Sequence, residues 1–230
     1  MIDLRLGDCL EVMKTIKDNS VDAIITDPPY GTTACKWDSV IDFGLMWEQL
    51  NRIIKPNGAI VLFGSEPFSS ALRMSNIKNY KYDWIWNKKR AANIFNVNIS
   101  PLKTFENIHV FNKHNYYPIM TKKDKPQKLN KYKNTQDGSN VSGGDKVSKQ
   151  KISGKIYTHS YPTSFLEFIK DKQTTKQKHP TQKPILLMEY LIKTYTNENE
   201  TVLDFTMGSG TTMLACKNLN RNGIGIEKDP

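Results

Sequence analysis

The chain has 230 residues and a net charge of +10, with 38% hydrophobic and 24% charged residues. That apolar content supports a real core and excludes global disorder, and no apolar run approaches the roughly 18 residues of a membrane span. Met1–Arg5 lacks the basic-then-apolar order of a signal peptide, and the three cysteines (Cys9, Cys35, Cys216) form no CxxC pair, so neither a disulfide framework nor a zinc site is indicated and a reducing cytoplasm is the expected location.

The elements follow in chain order. Ile2–Leu6 alternates as a strand does, and Leu10, Met13 and Ile16 then recur near helical spacing. Val21–Thr26 is a short β-branched run suited to a buried parallel strand. Phe43–Ile54 predicts an amphipathic helix closed by the breakers Lys55–Gly58, and Ala59–Phe63 a further buried strand. Pro67–Ile77 predicts a helix, and Lys81–Trp86 and Glu106–Phe111 two strands. The pattern then stops until Pro184, which suits the first turn of a helix whose face carries Leu187, Tyr190, Leu191 and Tyr195. Thr201–Phe205 reads as a strand, Thr211–Leu219 as a helix and Gly223–Glu227 as a last strand. Repeated strand–helix alternation predicts an α/β fold with a doubly wound, mostly parallel sheet and helices on both faces.

The interrupted stretch 112–178 holds 15 lysines, no arginine and five acids, which leaves 18 basic against 18 acidic residues elsewhere. All the excess charge therefore sits in one segment. Lysines with few apolar neighbours cannot build a core alone, but they can neutralise phosphates. The chain divides accordingly into residues 1–111, a lysine-rich insertion 112–178, and residues 179–230.

Val21–Thr26 runs directly into Asp27-Pro28-Pro29-Tyr30. Ligands of open α/β sheets bind beyond the carboxyl ends of strands. Here that end carries a carboxylate, two prolines that fix the backbone, and an aromatic face. The Asp27 carboxylate and the Pro28 carbonyl are two acceptors for one NH2 group. An exocyclic amine on a nucleobase is a poor nucleophile, because its lone pair is delocalised into the ring. Two acceptors on its hydrogens favour a pyramidal nitrogen that can attack a sulfonium methyl in line. No covalent enzyme intermediate is required.

A second site follows Val202–Phe205, where Thr206-Met207-Gly208-Ser209-Gly210-Thr211-Thr212 joins a strand to a helix. Glycines let a ligand approach the backbone closely. The run is neither GxGxxG nor a P-loop, so a dinucleotide or a nucleotide phosphate is not the favoured ligand. Glu227 ends the last strand, where an acid suits ribose hydroxyls. A small adenosine-containing cofactor without phosphates fits both features.

Together these motifs resemble the amino-methylating DNA methyltransferases that use S-adenosylmethionine. Asp27–Tyr30 matches their (D/N/S)PP(Y/F/W) motif, and Phe205–Gly210 matches their FxGxG-type loop with one extra residue between Phe205 and Gly208. His179-Pro180-Thr181-Gln182-Lys183-Pro184 resembles the segment that holds the methionine part of the cofactor, and Leu6–Leu10 the segment whose acid meets the cofactor adenine. Catalytic motif, variable region and cofactor motif come in the circularly permuted "beta" order. The likeness covers roughly residues 1–112 and 178–230 and implies a Rossmann-like methyltransferase fold.

The resemblance implies roles residue by residue. Asp27 and the Pro28–Pro29 backbone grip the target amine, and Tyr30 stacks on the flipped base. Phe205, Gly208 and Gly210 wrap the cofactor, Glu227 holds its ribose, Asp8 its adenine amino group, and Thr181 and Lys183 its methionine end. Asp8 with Glu11 also reads as a helix-capping pair. Ser65 and Glu66 resemble the position lining the base pocket. Trp37, in the loop after the catalytic motif, either covers the site or is a surface aromatic. His179 reads as structural, and Asp204 as a strand-end residue that ties the loop by hydrogen bonds. The variable region, here 112–178, is implied to recognise double-stranded DNA, with the target base leaving the stack. An aspartate-led tetrapeptide favours N6 of adenine over N4 of cytosine. Methylation of RNA adenine and a catalytically silent DNA-binding module are the rival readings. Dimerisation is common in this arrangement, although the sequence does not show it. Family members usually continue beyond the position of Pro230 into a helix on the last strand.

Overall fold

The computed structural model describes residues 1–33, 35, 38–91, 94, 97–128, 156–169 and 182–229. The described chain forms two compact units, residues 1–117 with 163–230, and residues 118–162.

The first unit is built on one eight-stranded sheet. Its strands are β1 (Ile2–Leu6), β2 (Val21–Thr26), β3 (Ile54–Gly64), β4 (Tyr80–Asn87), β5 (Phe105–Phe111), β8 (Phe165–Glu167), β9 (Thr201–Asp204) and β10 (Asn222–Glu227). Their spatial order is β1-β10-β9-β2-β3-β5-β4-β8. The first five strands run parallel, β5 is antiparallel to both its neighbours, and β8 pairs parallel with β4. The helices are α1 (Cys9–Met13), α2 (Phe43–Ile53), α3 (Phe68–Ser75), α4 (Ile185–Tyr195) and α5 (Thr211–Asn218).

Alternation along the central strands explains why both faces are covered. Ala23 and Ile25 of β2, with Ala59, Val61 and Phe63 of β3, meet Leu187, Met188 and Leu191 of α4 and Met213 and Cys216 of α5. Ile24, Ile60 and Leu62 point the other way, against Met46, Leu50 and Ile53 of α2 and Phe68 and Leu72 of α3. Period-two alternation thus divides one apolar run between two cores, as a doubly wound sheet requires.

Three sequence expectations need correction. The breaker cluster Lys55–Gly58 does not end before β3 but lies within it: Val21 pairs with Ile54 and Ala23 with Ala59, so four residues bulge out of register. Gly58 fits there because an added Cβ would sit 2.7 Å from the Asp22 carbonyl oxygen. The 112–178 stretch is not pattern-free, since it contains β6 (Thr121–Lys128), β7 (Ile156–Ser160) and β8. β6 and β7 pair antiparallel in the second unit, while β8 extends the main sheet. Finally, α3 is shorter than Pro67–Ile77.

Candidate active site

β2 and β9 are neighbours, but the chain leaves them toward opposite faces, from β2 to α2 and from β9 to α5. This is a topological switch point, where a crevice opens beyond the strand ends. Asp27–Tyr30 leaves β2 there, and the Thr206–Gly210 loop leaves β9 beside it.

A buried hydroxyl–carboxylate knot joins the two. Asp204 is buried at the end of β9 and accepts hydrogen bonds from the Thr26 and Thr212 hydroxyls and from the Thr206 amide at 3.2 Å. The Thr26 and Thr206 hydroxyls lie 2.7 Å apart, and the Thr206 hydroxyl donates to the Asp27 backbone carbonyl at 3.1 Å. Burial pushes the Asp204 carboxyl up to about 6, against the pull of the threonine donors. Asp204 ties the loop by hydrogen bonds, as its place at the strand end suggests.

Asp27 presents its two carboxylate oxygens to different partners. Oδ1 accepts the Tyr30 hydroxyl, and Oδ2 accepts the Lys183 ammonium. Burial, then the Asp27 and Glu106 carboxylates, hold Tyr30 well above its ordinary range, so it stays a phenol and a donor. The Tyr30 ring stacks on Phe68 with centroids 5.0 Å apart. Pro28 is buried, and among the described residues none donates to its carbonyl.

The loop after Tyr30 is fastened by a residue that sequence reasoning missed. Asp38, 8% exposed, accepts the backbone amides of Tyr30, Gly31, Thr32 and Thr33 at 2.7–2.9 Å. Burial opposes its charge, yet the donors from Thr33, Gly31 and Tyr30 hold its carboxyl below the usual range. Gly31 turns the chain there with φ +68°, and a Cβ on it would meet Val40 at 2.8 Å.

The glycine loop has the form a ligand cradle needs. Gly208 and Gly210 have φ +50° and +77°, and a Cβ built on either meets nothing within 4 Å. Gly210 is the N-cap of α5, in the left-handed region, and makes no side-chain cap hydrogen bond. Glu227 holds the loop, accepting the Gly208 amide at 2.7 Å on one oxygen and the Lys228 amide at 2.9 Å on the other. Phe205 is buried in the core on the α2–α3 side, beneath the loop. Asp8 caps α1, accepting the Leu10 amide at 3.0 Å, and lies 3.4 Å from the Lys228 ammonium. Glu11 pairs with Lys14 instead of completing a capping box.

Lys183 lies closer to the catalytic motif than its expected role suggests. Its ammonium touches Asp27, lies 3.4 Å from Glu106 and stands 5.0 Å from the Phe63 ring centre. Lys88 pairs with the other Glu106 oxygen at 2.9 Å. In the sequence, Glu106 reads only as the start of a strand, and Lys88 has no assigned role. Of the weaker expectations, Glu66 pairs with Arg73 and Ser70, and Ser65 accepts from Lys103. Thr181, His179 and Trp37 lie outside the described residues.

A second row of Ser69, His109 and Asp83 has the order of a hydrolase triad, at 2.9 and 2.7 Å. Ser69 and His109 are both fully buried, so the row ties α3 to β4 and β5 and cannot meet a substrate.

A family model described as DNA methylase, N6/N4 type, matches residues 21–230. The chain belongs to the N6/N4 DNA methylase family. This methylase is 30% identical to the type II methyltransferase M.HpaI of Haemophilus parainfluenzae over 98% of its own length and 70% of that protein's. It is 29% identical to M.HinfI of Haemophilus influenzae over 97% of its own length and 64% of the relative's. The chain thus spans about two thirds of these two relatives. Among solved structures, the M1.HpyAVI–SAM complex is 31% identical, with a TM-score of 0.63, full coverage of this chain and 94% of that one. PvuII DNA methyltransferase, described as cytosine-N4-specific, shares the fold at 18% identity and a TM-score of 0.67, over all of this chain and 82% of that one. The doubly wound methyltransferase fold expected from the sequence is therefore the fold observed.

Proposed function

We propose that the protein transfers a methyl group from S-adenosylmethionine to the N6 amino group of adenine in double-stranded DNA, after the base is flipped from the helix. One observation carries this reading. Asp8, Glu227, the Gly208–Gly210 loop and Asp27 stand in that order at the carboxyl ends of the adjacent strands β1, β10, β9 and β2. Three strand spacings make a row about 14 Å long, which suits a nucleoside with an amino-acid tail. The open space before Gly208 and Gly210 fits such a ligand, and no lysine of a phosphate loop is present.

On this reading Asp8 meets the adenine of the cofactor, Glu227 its ribose, and Phe205 supports the glycine loop from below. The resemblance assigns its methionine end to Thr181 and Lys183. When bound, the cofactor supplies an electrophilic methyl on a sulfonium. Asp27 and the Pro28 carbonyl accept the two hydrogens of the target amine, with Pro29 keeping the backbone rigid. Tyr30 carries the base on the ring face turned away from Phe68. The nitrogen sheds one proton as it gains the methyl, and the Asp27 carboxylate is the acceptor beside it.

The segment 112–178 supplies the contact to DNA. Exposed Lys122 and Lys125 lie on β6, in a stretch whose lysines match a phosphate backbone. Likeness to type II methyltransferases suggests site-specific modification of the kind that accompanies restriction. Aspartate at the head of the motif favours adenine, and the cytosine-N4 specificity in the name of the PvuII enzyme keeps N4 of cytosine as the competing target. Tritiated methyl transfer from S-adenosylmethionine to DNA and RNA tests the reading. Label in DNA alone is expected. Label in RNA alone, or in neither, overturns it.

A further inference from the structure

Asp27, Lys183, Glu106 and Lys88 form a row of two carboxylates and two ammoniums drawn from four elements: the end of β2, the segment before α4, β5, and the residue after β4. Their side chains are 26%, 10%, 14% and 8% exposed. Charges this far from water persist only when paired, and here the signs alternate and cancel. The carboxylate facing the site is thus not an isolated acid. It is the outer end of a balanced series that reaches Glu106 on β5, two strands away, and Lys88 beyond β4, three strands away.

We propose that Lys183 is a positioning residue for methyl transfer, which engages one carboxylate oxygen of Asp27 and so fixes which of the two receives the target amine. The proposal rests on the methyltransferase reading above. Oδ2 is committed to Lys183, whereas among the described residues Oδ1 carries only the Tyr30 hydroxyl, a donor that an incoming amine can displace. The amine therefore docks on Oδ1. Glu106 keeps the Lys183 ammonium from following Asp27 outward, Lys88 balances Glu106, and the Phe63 ring supports the cation from beside it. The charge of Lys183 is firmly held: burial disfavours it, but Asp27 and Glu106 together outweigh burial and raise its proton affinity.

Other titratable groups near Asp27 do not replace this cation. Tyr30 is a neutral phenol, Asp204 on β9 and Asp38 in the following loop are acids, and Thr206 only binds the Asp27 backbone. Without Lys183, the row keeps two carboxylates and the Lys88 ammonium, which pairs with Glu106, so Asp27 loses its own cation while Asp204 stands near it. A carboxylate so placed is harder to ionise, and its orientation is no longer set.

The wild-type enzyme is first shown to methylate DNA, which tests the underlying reading independently of any variant. Single-turnover rates at saturating cofactor and DNA, as a function of pH, are then compared for wild type, Lys183→Met, Glu106→Gln and the double variant. Calorimetry gives cofactor affinity for each. Lys183→Met is expected to lower the rate at pH 7 by about 100-fold and to move the acid limb up by about one pH unit or more. Glu106→Gln moves that limb down, and the double variant lies between the two single ones. Cofactor-free protein supplies a readout apart from turnover: the melting deficit of Lys183→Met shrinks as the pH falls from 7 to 5, because protonating one of two facing carboxylates relieves them. An acid limb that stays in place in Lys183→Met, with the loss confined to cofactor affinity, overturns the proposal and leaves Lys183 a cofactor-tail ligand. So does an unmoved or raised limb in Glu106→Gln.

Discussion

The Thr206 side chain donates its hydroxyl hydrogen to the backbone carbonyl of Asp27 at 3.1 Å. One bond therefore joins the loop proposed to hold the cofactor to the motif proposed to hold the base, across the junction of β9 and β2. Any shift of one loop is felt by the other. Thr206→Val keeps the shape and removes the donor. Loss of about 1 kcal/mol of stability is expected from a single neutral hydrogen bond. A fall of about tenfold in turnover is expected from the looser placement of Asp27, by comparison with the larger losses that a 1 Å misplacement brings. Thermal melting and single-turnover rates check the pair of effects.

Tyr30 separates stacking from hydrogen bonding. Its hydroxyl occupies the oxygen of Asp27 that the amine must use, so Tyr30→Phe removes a competitor and keeps the ring. Turnover of Tyr30→Phe is expected to stay within about threefold of wild type. Tyr30→Ala loses the stacking surface, about 1–3 kcal/mol, or roughly 5- to 150-fold in kcat/KM. Steady-state kinetics on one DNA substrate distinguish the two variants.

Asp38 sets the shape of the loop after the motif. Four backbone amides converge on its carboxylate, and an amide side chain in its place would turn a donor toward some of them. Asp38→Asn is expected to cost about 2–4 kcal/mol, measured by urea unfolding. Because the folded carboxyl is held below the usual range, its contribution is present above about pH 4 and is lost as the pH falls through the folded value. The deficit of the variant should therefore narrow in acid.

Asp204 has the opposite sign. Its carboxyl is pushed up to about 6 by burial, so its contribution is full below the unfolded value near 4 and declines as pH rises toward 6. Asp204→Asn cannot ionise. Relative to wild type, the variant should gain up to about 3 kcal/mol between pH 4 and pH 7, read from unfolding curves at each pH.

Those two aspartates mark what a sequence can and cannot disclose. Asp204 ends an apolar strand before a glycine loop, so its role as a tie was readable from position. Asp38 sits in a loop of ordinary turn residues, and only folding shows that four amides turn toward it. Asp27–Tyr30 and Gly208–Gly210 were legible because each motif is contiguous at a strand end. The pairing of Lys183 with Asp27, Glu106 and Lys88 was not, since that row is assembled from strands and a loop far apart in the chain. β6 was missed because Thr121–Lys128 has no alternating apolar residues. Its pairing with β7 rests on the backbone ladder, which leaves no trace in hydropathy. α2 appeared close to its expected limits because it has one face to bury, and burial imposes a period, whereas β2 did so because a continuous β-branched run suits a strand covered on both faces.

The central claim concerns one atom, the nitrogen that receives the methyl group. Duplex DNA treated with the wild-type protein and S-adenosylmethionine, digested to nucleosides and resolved by mass spectrometry, identifies that atom. The account predicts N6-methyldeoxyadenosine, absent when Asp27→Ala is used. N4-methyldeoxycytidine in its place, or methylation that persists in Asp27→Ala, would contradict it.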